Sequence, residues 1–434
     1  MFPIDKNTLD KVLGSFGIED ITKATIRQMV SVAQALEEEA DEKFVHLEIG
    51  NPGIPAERVG IDAECAALQS GIANQYPDIA GIPCLKESAA RFLKSFLNIE
   101  VAPKGIIPTV GSMQGSFTMM TLLKLRDPKK DTMLFINPGF PAQRSQAKLV
   151  GLKEASFDIY DYRGKKLEAK LEEMMAGGNV TALIYSNPNN PAWTNLTEEE
   201  LEIIGRMATK HDVIVLEDLA YLGMDFRQDF GVPGCEPFVP TVARYTDNYV
   251  ILLSASKIFS YAGQRIAVVC ISDKLRPRHF DALHDFFGIS GFGGAYVYGV
   301  LYAVSSGTAH SAQYAMAAMM QGAVEGRVAF VDACREYGRR GEIVKKAFTD
   351  NGFHIIYDID GDRPISDGFF FTAGYKDMTS GELQKELMRY GVSSISLPST
   401  GSEQNGIRVC VSMISEDEDF KRLDQRLKAF KDEH

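Results

Sequence analysis

A lysine, an arginine and two serines follow a short apolar run in the middle of the chain. The run at 250–253 predicts a buried strand, and Ser254-Ala-Ser-Lys257 comes directly after it, with Arg265 a little further on. A lysine that lies near a cationic arginine in a partly desolvated pocket has its neutral amine form favoured. The neutral amine is the form that attacks a carbonyl carbon, so the spacing points to imine formation with an aldehyde. Most lysines beside a turn are simply solvated. The interpretation of Lys257 therefore depends on the serines and the arginine near it.

Polar side chains also follow two earlier apolar runs. Asp218 and Tyr221 come after the run at 213–217, and Asn187 and Asn190 lie in a proline-rich stretch after the preceding run. Open α/β sheets bind ligands at the carboxyl ends of their parallel strands, where these residues are expected. The alternatives are that Asp218 caps a helix, that Tyr221 is a packed aromatic, and that the asparagines only form a turn.

Three further positions have the chemistry of ligand contacts. Gly111-Ser112-Met113 opens a predicted helix, and small residues there let backbone N–H groups approach a phosphate. Phe140 follows another strand-like run, where it either stacks on a ligand ring or packs in the core. Arg408 lies in an otherwise apolar strand and needs an anionic partner, either a ligand carboxylate or a local Asp or Glu.

The elements that position these residues follow an α/β pattern. Between about 105 and 272, β-branched runs alternate with helical segments, which predicts a mostly parallel sheet covered on both faces. Thr197 and Glu200 form a capping box that opens one of the helices. A single long helix over about 309–349 is expected to lead into a smaller α+β unit. We predict a large domain at 50–308 and a small domain formed by 1–49 with 309–434.

Composition narrows the class of protein. The 434 residues carry a net charge of −12, which disfavours nucleic acid and acidic membrane surfaces as partners. The six cysteines are widely spaced, and no motif has the spacing of metal ligands, so free thiols and no metal are expected. Neither a secretory signal nor a membrane-spanning run is apparent. A cytoplasmic enzyme is the simplest interpretation.

In order along the chain, these motifs resemble the class I/II aminotransferases, which are pyridoxal-phosphate enzymes of fold type I. The stretch from Ser254 to Arg265 is similar to the family's S-x-S-K-x-x-x-x-x-G-x-R. The resemblance implies that Lys257 forms the aldimine, that Ser254 and Arg265 bind the cofactor phosphate, and that Asp218 pairs with the pyridine nitrogen. It also implies seven strands in the large sheet.

The resemblance assigns the other cofactor contacts as well. Tyr221, in a D-x-A-Y motif, and Asn190, in an N-P-x-N-P-like motif, would contact the phenolic oxygen. Phe140 would stack on the pyridine ring, and Ser112 with Met113 would lie at the phosphate. Lys257, Asp218 and Tyr221 are then the expected catalytic residues.

Substrate and subunit contacts are implied in the same way. Gly50 lies in a segment that closes over the substrate in the family, Asn187 lies near the substrate carboxylate, and Arg408 binds it. The stretch that begins at Tyr76 is similar to one whose tyrosine reaches the phosphate of the neighbouring subunit. The resemblance therefore implies a homodimer in which Tyr76 acts across the interface.

The chain departs from the family pattern at two places. Ala192-Trp193 replaces the usual Thr-Gly, and Met113 stands where some members with acidic substrates have a lysine. The stretch 288–298 contains no arginine that a partner could use for a second carboxylate. A substrate with a neutral or aromatic side chain is therefore favoured. A dicarboxylic amino acid stays an alternative, because Arg27 or Arg58 could bind a second carboxylate.

Transamination between an L-amino acid and a 2-oxo acid is the predicted reaction. A lyase or decarboxylase on the same fold stays open, because the bond that breaks depends on how the substrate is held against the cofactor. A noncatalytic cofactor-binding regulator is the alternative from another class.

Overall fold

The structure, a computed structural model, describes residues 2–434. Its helices are α1 Lys6–Ser15, α2 Ile26–Ala40, α3 Arg58–Gln69, α4 Pro83–Leu97, α5 Gly111–Leu125, α6 Pro141–Leu149, α7 Lys166–Met175, α8 Glu198–Lys210, α9 Ala255–Ile258, α10 Asp281–Phe287, α11 Phe292–Gly294, α12 Tyr302–Val304, α13 His310–Val324, α14 Phe330–Asp350, α15 Ser380–Arg389 and α16 Asp417–Glu433. A π-helical segment, Ala295–Leu301, joins α11 to α12.

The strands make one large sheet and several smaller ones. They are β1 Val45–His46, β2 Ile106–Val110, β3 Thr132–Asn137, β4 Lys153–Asp158, β5 Val180–Ser186, β6 Ile214–Asp218, β7 Tyr249–Ser254, β8 Ile266–Ile271, β9 Phe353–Ile355, β10 Ile359–Asp360, β11 Arg363–Pro364, β12 Phe370–Tyr375, β13 Val392–Ser393, β14 Ile395–Ser396 and β15 Ile407–Cys410.

The large sheet has seven strands in the order β2-β8-β7-β6-β5-β3-β4. β8 runs antiparallel to both of its neighbours, and the other pairs are parallel. The prediction of a mostly parallel seven-stranded sheet in an α/β fold is confirmed.

Both faces of the large sheet are buried, as the near-continuous apolar runs require. Alternate residues of β7 enter two different cores: Ile251 and Leu253 lie in one, and Val250 and Leu252 in the other. The first core includes side chains of α4, α8 and α13, and the second includes those of α5 and the π-helical segment. The capping box at Thr197 and Glu200 is present at the start of α8.

A second unit contains the C-terminal strands and helices. Its antiparallel sheet has the order β14-β15-β12-β9, and α14, α15 and α16 contribute to its core. β1 pairs in parallel with β13, and α1 and α2 share a core with Met388 of α15 and Ile395 of β14. The N-terminal helices thus pack on the C-terminal unit.

The expectation of one long helix over 309–349 is wrong. Gly326 has a φ of +71°, and the amides of Arg327 and Val328 bond back to the carbonyl of Gly322, which ends α13 before α14 begins. The buried face of α13 packs against α3 and α4. The domain boundary at 308/309 stays a prediction.

Neither a membrane-spanning helix nor a metal-binding cluster is found among residues 2–434. No helix in this range is both long enough and apolar enough to cross a bilayer. The same range contains no cluster of three or more His, Cys, Asp or Glu side chains arranged to hold a metal ion.

Candidate active site

The candidate site lies at the carboxyl ends of the parallel strands. β6 ends at Asp218, β7 ends at Ser254 just before Lys257, and Asn187 and Asn190 follow β5. From the second unit, Arg408 on β15 reaches the same place by bonding to Asn190. Sequence-distant residues therefore meet at the edge where open α/β sheets bind ligands.

Lys257 is the reactive amine of this site. It lies in α9, a short helix whose N-terminus is capped by the Ser254 hydroxyl, which accepts from the Ser256 amide at 3.1 Å. Its Nζ donates to the carbonyl of Gly50 and lies 5.3 Å from the centroid of the Phe369 ring. Removal of the amine from water lowers the pKa of Lys257 to about 8, and the nearby arginines act in the same direction. This amine therefore loses its proton more readily than a solvated lysine does.

Asp218 is a buried carboxylate whose hydrogen-bond donors are neutral. Gln143 Nε2 donates to Oδ2 at 2.8 Å, and the Ala220 amide donates to Oδ1 at 3.2 Å. Burial raises the pKa of Asp218 to about 6, and these two bonds offset only part of the effect. A cationic ring nitrogen beside this carboxylate would supply the charge that its present partners lack.

Arg408 and Asn190 form a polar pair deep in the site. Arg408 Nη1 donates to Asn190 Oδ1 at 3.2 Å, and Nη2 donates to the backbone carbonyl of Glu48. Arg408 Nε is buried without a partner among residues 2–434. The guanidinium carbon lies 4.7 Å from the centroid of the Phe370 ring, and burial lowers the pKa of Arg408. An anion at this arginine would satisfy a donor that the protein leaves free.

Tyr221 presents its hydroxyl to the same pair. Burial raises the pKa of Tyr221, while a hydrogen bond with Asn190 and the charge of Arg408 act in the opposite direction. Its ring packs against Phe369 and Phe370, with centroids 5.3 and 5.4 Å away. The phenol is therefore a protonated donor at neutral pH.

A second cationic corner is formed by Gly111 and Arg265. Gly111 begins α5 with a φ of +67°, and a Cβ built on it would lie 2.3 Å from Arg265 Nη2. The guanidinium therefore packs directly on a helix N-terminus, beside the hydroxyls of Ser254 and Ser256. Ser112 is half-buried and Met113 is exposed in the same turn. Such a corner suits a phosphate.

Three of the predicted site residues form no side-chain hydrogen bond with Lys257, Asp218 or Arg408 within residues 2–434. The Asn187 side-chain oxygen accepts from the Leu196 amide at 3.1 Å, so it is used in shaping its own loop. Phe140 is half-buried and precedes α6. Tyr76 is 89% exposed, so in this chain alone it is a surface residue.

The sequence analysis missed several residues of the site. Gln143 lies in the first turn of α6, where only its short distance from Phe140 pointed to the site. No motif in the sequence included Phe369 or Phe370, and the Glu48 carbonyl carries no side-chain signature. Their roles follow from contacts between distant segments.

The fold and this cluster define an α/β enzyme with a reactive lysine at the carboxyl edge of its sheet. The chain belongs to the family of class I and II aminotransferases, whose family model matches residues 42–425. This membership supports an enzyme over the noncatalytic regulator considered above.

The chain is similar to several known proteins. It is 27% identical over 257 residues to nicotianamine aminotransferase 1 of Oryza sativa subsp. japonica, which covers 58% of this chain and 50% of that protein. It is 27% identical over 230 residues to the S-alkyl-thiohydroximate lyase SUR1 of Arabidopsis thaliana, which covers 52% of this chain and 47% of that protein. The match thus spans about half the length of these curated relatives.

The fold is also that of solved aminotransferase structures. A double mutant of Thermus thermophilus aspartate aminotransferase superposes with a TM-score of 0.75 over 94% of this chain and 96% of that chain, at 19% sequence identity. This likeness shows the fold.

Members of this family use pyridoxal phosphate, and the residues present fit this cofactor. The Gly111 and Arg265 corner suits the phosphate, and the Lys257 amine suits the aldehyde. Among residues 2–434 the donors to Asp218 are neutral, so its carboxylate suits a protonated ring nitrogen, while the Tyr221 hydroxyl suits the phenolic oxygen. Each polar group of the cofactor thus has a matching group in the chain.

Proposed function

We propose that this protein is a pyridoxal-phosphate-dependent transaminase that moves the amino group of an L-amino acid to a 2-oxo acid. One observation carries the proposal. The site combines an amine of lowered pKa on Lys257, a buried carboxylate on Asp218 and a buried guanidinium with a free donor on Arg408. A base, an electrostatic partner for a cationic ring and a carboxylate receptor are the three functions that transamination requires.

The cofactor supplies an aldehyde that captures the substrate amine and a ring that withdraws electrons from the bonds at its α-carbon. Lys257 performs the proton transfers. With pyridoxal phosphate bound, Lys257 Nζ would hold the cofactor through its aldehyde, and as a free amine of lowered pKa it would act as the base that moves the proton at the substrate α-carbon and at the aldehyde carbon. The carbonyl of Gly50, which now accepts from Nζ, is well placed to orient the amine.

Asp218 would stabilise a protonated ring nitrogen of the bound cofactor. Its carboxylate is buried and oriented by Gln143, so its charge acts with little screening by water. Arg408 would receive the substrate carboxylate at Nε, the nitrogen that the protein leaves free, and Asn190 orients the guanidinium by accepting from Nη1. The buried phenyl rings of Phe369 and Phe370 make this part of the site apolar.

We infer a neutral or aromatic substrate. Phe369 lies beside the Lys257 amine, and Met113 supplies no charge at its position. Arg340, which is buried next to the segment 50–55, already donates to Glu336 and to the carbonyls of Gly53 and Ser412. Arg58 forms an ion pair with Asp62 at 2.7 Å. These pairings favour a substrate without a second carboxylate.

A lyase acting on an amino-acid-derived substrate is the second candidate. The similarity of this chain to a relative that is named a lyase supports this second candidate. The two reactions use the same base and the same receptor for the carboxylate, and they differ in which bond to the substrate breaks.

We also propose that the protein is a cytoplasmic homodimer in which Tyr76 acts on the neighbouring site. The exposure of Tyr76 supports this assignment, because a phenol that served its own subunit would be expected to be partly covered. The acidic composition and the six cysteines, all unpaired, are compatible with a reducing compartment.

A product assay separates the candidates. The holoenzyme is given single L-amino acids together with a 2-oxo acid, and the new amino acid, the new oxo acid, ammonia and carbon dioxide are quantified. Transamination yields the two organic products in equal amounts without ammonia or carbon dioxide. Ammonia or carbon dioxide in place of the new amino acid contradicts the proposal and supports the lyase or the decarboxylase.

A further inference from the structure

Trp193, the only tryptophan of the chain, lies inside the loop that follows β5. It is fully buried, and its φ is +65°, in the left-handed region that disfavours residues with a Cβ. The loop holds this conformation by backbone bonds: the Trp193 amide donates to the carbonyl of Asn189, and the Asn189 amide donates to that of Thr194. A bulky residue thus occupies a position where glycine would be less strained.

The indole is fitted against the backbone of Gly368. A Cβ built on Gly368 would lie 2.0 Å from Trp193 Nε1 and Cε2, so any other residue at 368 would displace the indole or the strand that follows. This strand is β12, which begins at Phe370. The position of the indole and the position of the site's phenyl rings are therefore linked.

Two aromatic contacts lead from the indole into the site. Trp193 meets the ring of Tyr221 at a centroid distance of 5.5 Å and that of Phe370 at 6.1 Å, both edge-on. Tyr221 in turn bonds to Asn190, and Phe370 carries the Arg408 guanidinium on its face. The Trp193 indole thus contacts Tyr221 directly and contacts Phe370, the ring on which the Arg408 guanidinium lies.

Core filling alone does not account for an indole here. Its Nε1 is buried without a hydrogen-bond partner among residues 2–434, and leaving such a donor unsatisfied costs about 1–3 kcal/mol. A phenyl ring would avoid this penalty, but it is shorter than the indole. What the indole adds is a plane long enough to contact Tyr221 and Phe370 together.

We propose that Trp193 is a positioning residue: it fixes Tyr221 and Phe370, and through them the donor to the cofactor's phenolic oxygen and the receptor of the substrate carboxylate. This inference rests on the proposed function. Without the indole, the Tyr221 hydroxyl donates less well to the phenolic oxygen, and the Arg408 guanidinium loses its fixed support.

The test uses purified holoenzyme carrying Trp193→Phe, whose shorter ring cannot keep both contacts. The pH midpoint of the cofactor's visible absorbance is expected to rise by about half a unit or more, because a donor to an oxygen anion favours the deprotonated form and its loss has the opposite effect. The KM for the amino acid is expected to rise about tenfold with a smaller change in kcat.

Gly368→Ala supplies an independent second variant. It retains Trp193 but places a methyl group where the indole lies, so it should give the same shift in midpoint and KM. Because the chain has a single tryptophan, its fluorescence emission reports directly whether the indole has moved. If Gly368→Ala does not fold, the Trp193→Phe variant decides the question alone.

Phe96→Leu is the matched control. Phe96 lies in the same core and packs on Phe92 and Phe330, away from Tyr221 and Phe370. This variant should lower thermal stability and leave the absorbance midpoint and the KM unchanged. If Trp193→Phe behaves like this control, Trp193 only fills the core and the inference is overturned. A wild-type protein without any cofactor band would instead contradict the proposed function itself.

Discussion

Gln143 Nε2 donates a 2.8 Å hydrogen bond to Oδ2 of Asp218, which joins the first turn of α6 to the carboxyl end of β6. Both side chains are buried. The bond fixes the direction of the Asp218 carboxylate, whose pKa is raised by burial. A neutral side chain therefore influences the charge state of the group that we expect to face the cofactor's ring nitrogen.

Replacing Gln143 by leucine tests this relationship. The substitution removes the donor at similar volume, so the pKa of Asp218 should rise further and kcat should fall about tenfold, the effect of losing one hydrogen bond to a charged group. Gln384→Leu is the control, because Gln384 is also buried but bonds to the Ser394 carbonyl in the second unit. Steady-state kinetics and cofactor affinity are the measurements. Equal activity of the two variants would rule out this role for Gln143.

Asp218→Asn should separate stability from function. In the protein without cofactor, the carboxyl has a pKa of about 6 against an ordinary 3.8, so the folded state retains a proton that the unfolded state releases. Stability therefore falls as the pH rises between these values, by at most about 3 kcal/mol. Asparagine carries no such penalty.

The cofactor-free Asp218→Asn variant should therefore have a higher Tm than the wild type above pH 6, and the difference should vanish near pH 4. Its transaminase activity should fall about a hundredfold to a thousandfold, because the ring nitrogen loses its counter-charge. Melting curves across this pH range check the first part. A variant less stable than the wild type at every pH would show that the carboxylate is not destabilising.

Arg408→Lys tests the receptor of the carboxylate. Lysine retains the charge but not the planar fork, and it cannot bond to Asn190, to Glu48 and to a substrate in the same geometry. The KM for the amino acid should rise about a hundredfold while cofactor binding is retained. An amine substrate that lacks the carboxylate provides the control. The wild type should turn it over poorly, and Arg408→Lys should turn it over no more slowly. An unchanged KM would place the substrate elsewhere.

Tyr76 provides a test of the homodimer. A purified heterodimer of one Lys257→Ala subunit and one Tyr76→Ala subunit contains one site with an intact lysine and, from the other subunit, an intact tyrosine. If Tyr76 acts across the interface, this heterodimer should have about half the activity of the wild type, although both homodimers are impaired. Activity no greater than that of the Tyr76→Ala homodimer would show that Tyr76 serves its own subunit.

Much of the fold could be predicted because its cues are local. The buried strands are nearly continuous apolar runs, and the Thr197 capping box marks a helix start within a few residues. The break between α13 and α14 was missed because helical residues flank it on both sides. Only the left-handed Gly326 ends the first helix, and a single glycine is not decisive in a sequence.

The candidate site was predictable to the extent that its residues lie in motifs. Lys257 and Asp218 directly follow strands, so the topology brings them to one edge. The contacts of Gln143 with Asp218 and of Trp193 with Gly368 join distant segments. They depend on how α6 and β12 pack, and no local pattern specifies that packing.

The central claim is tested most directly by a half-reaction. The absorbance of the purified holoenzyme is recorded while single L-amino acids are added without any oxo acid. The account predicts that one group of amino acids, neutral or aromatic in side chain, converts the cofactor band to that of the aminated cofactor with one equivalent of 2-oxo acid released per site. A band that persists with every amino acid, or the release of ammonia or carbon dioxide in place of the oxo acid, would contradict transamination.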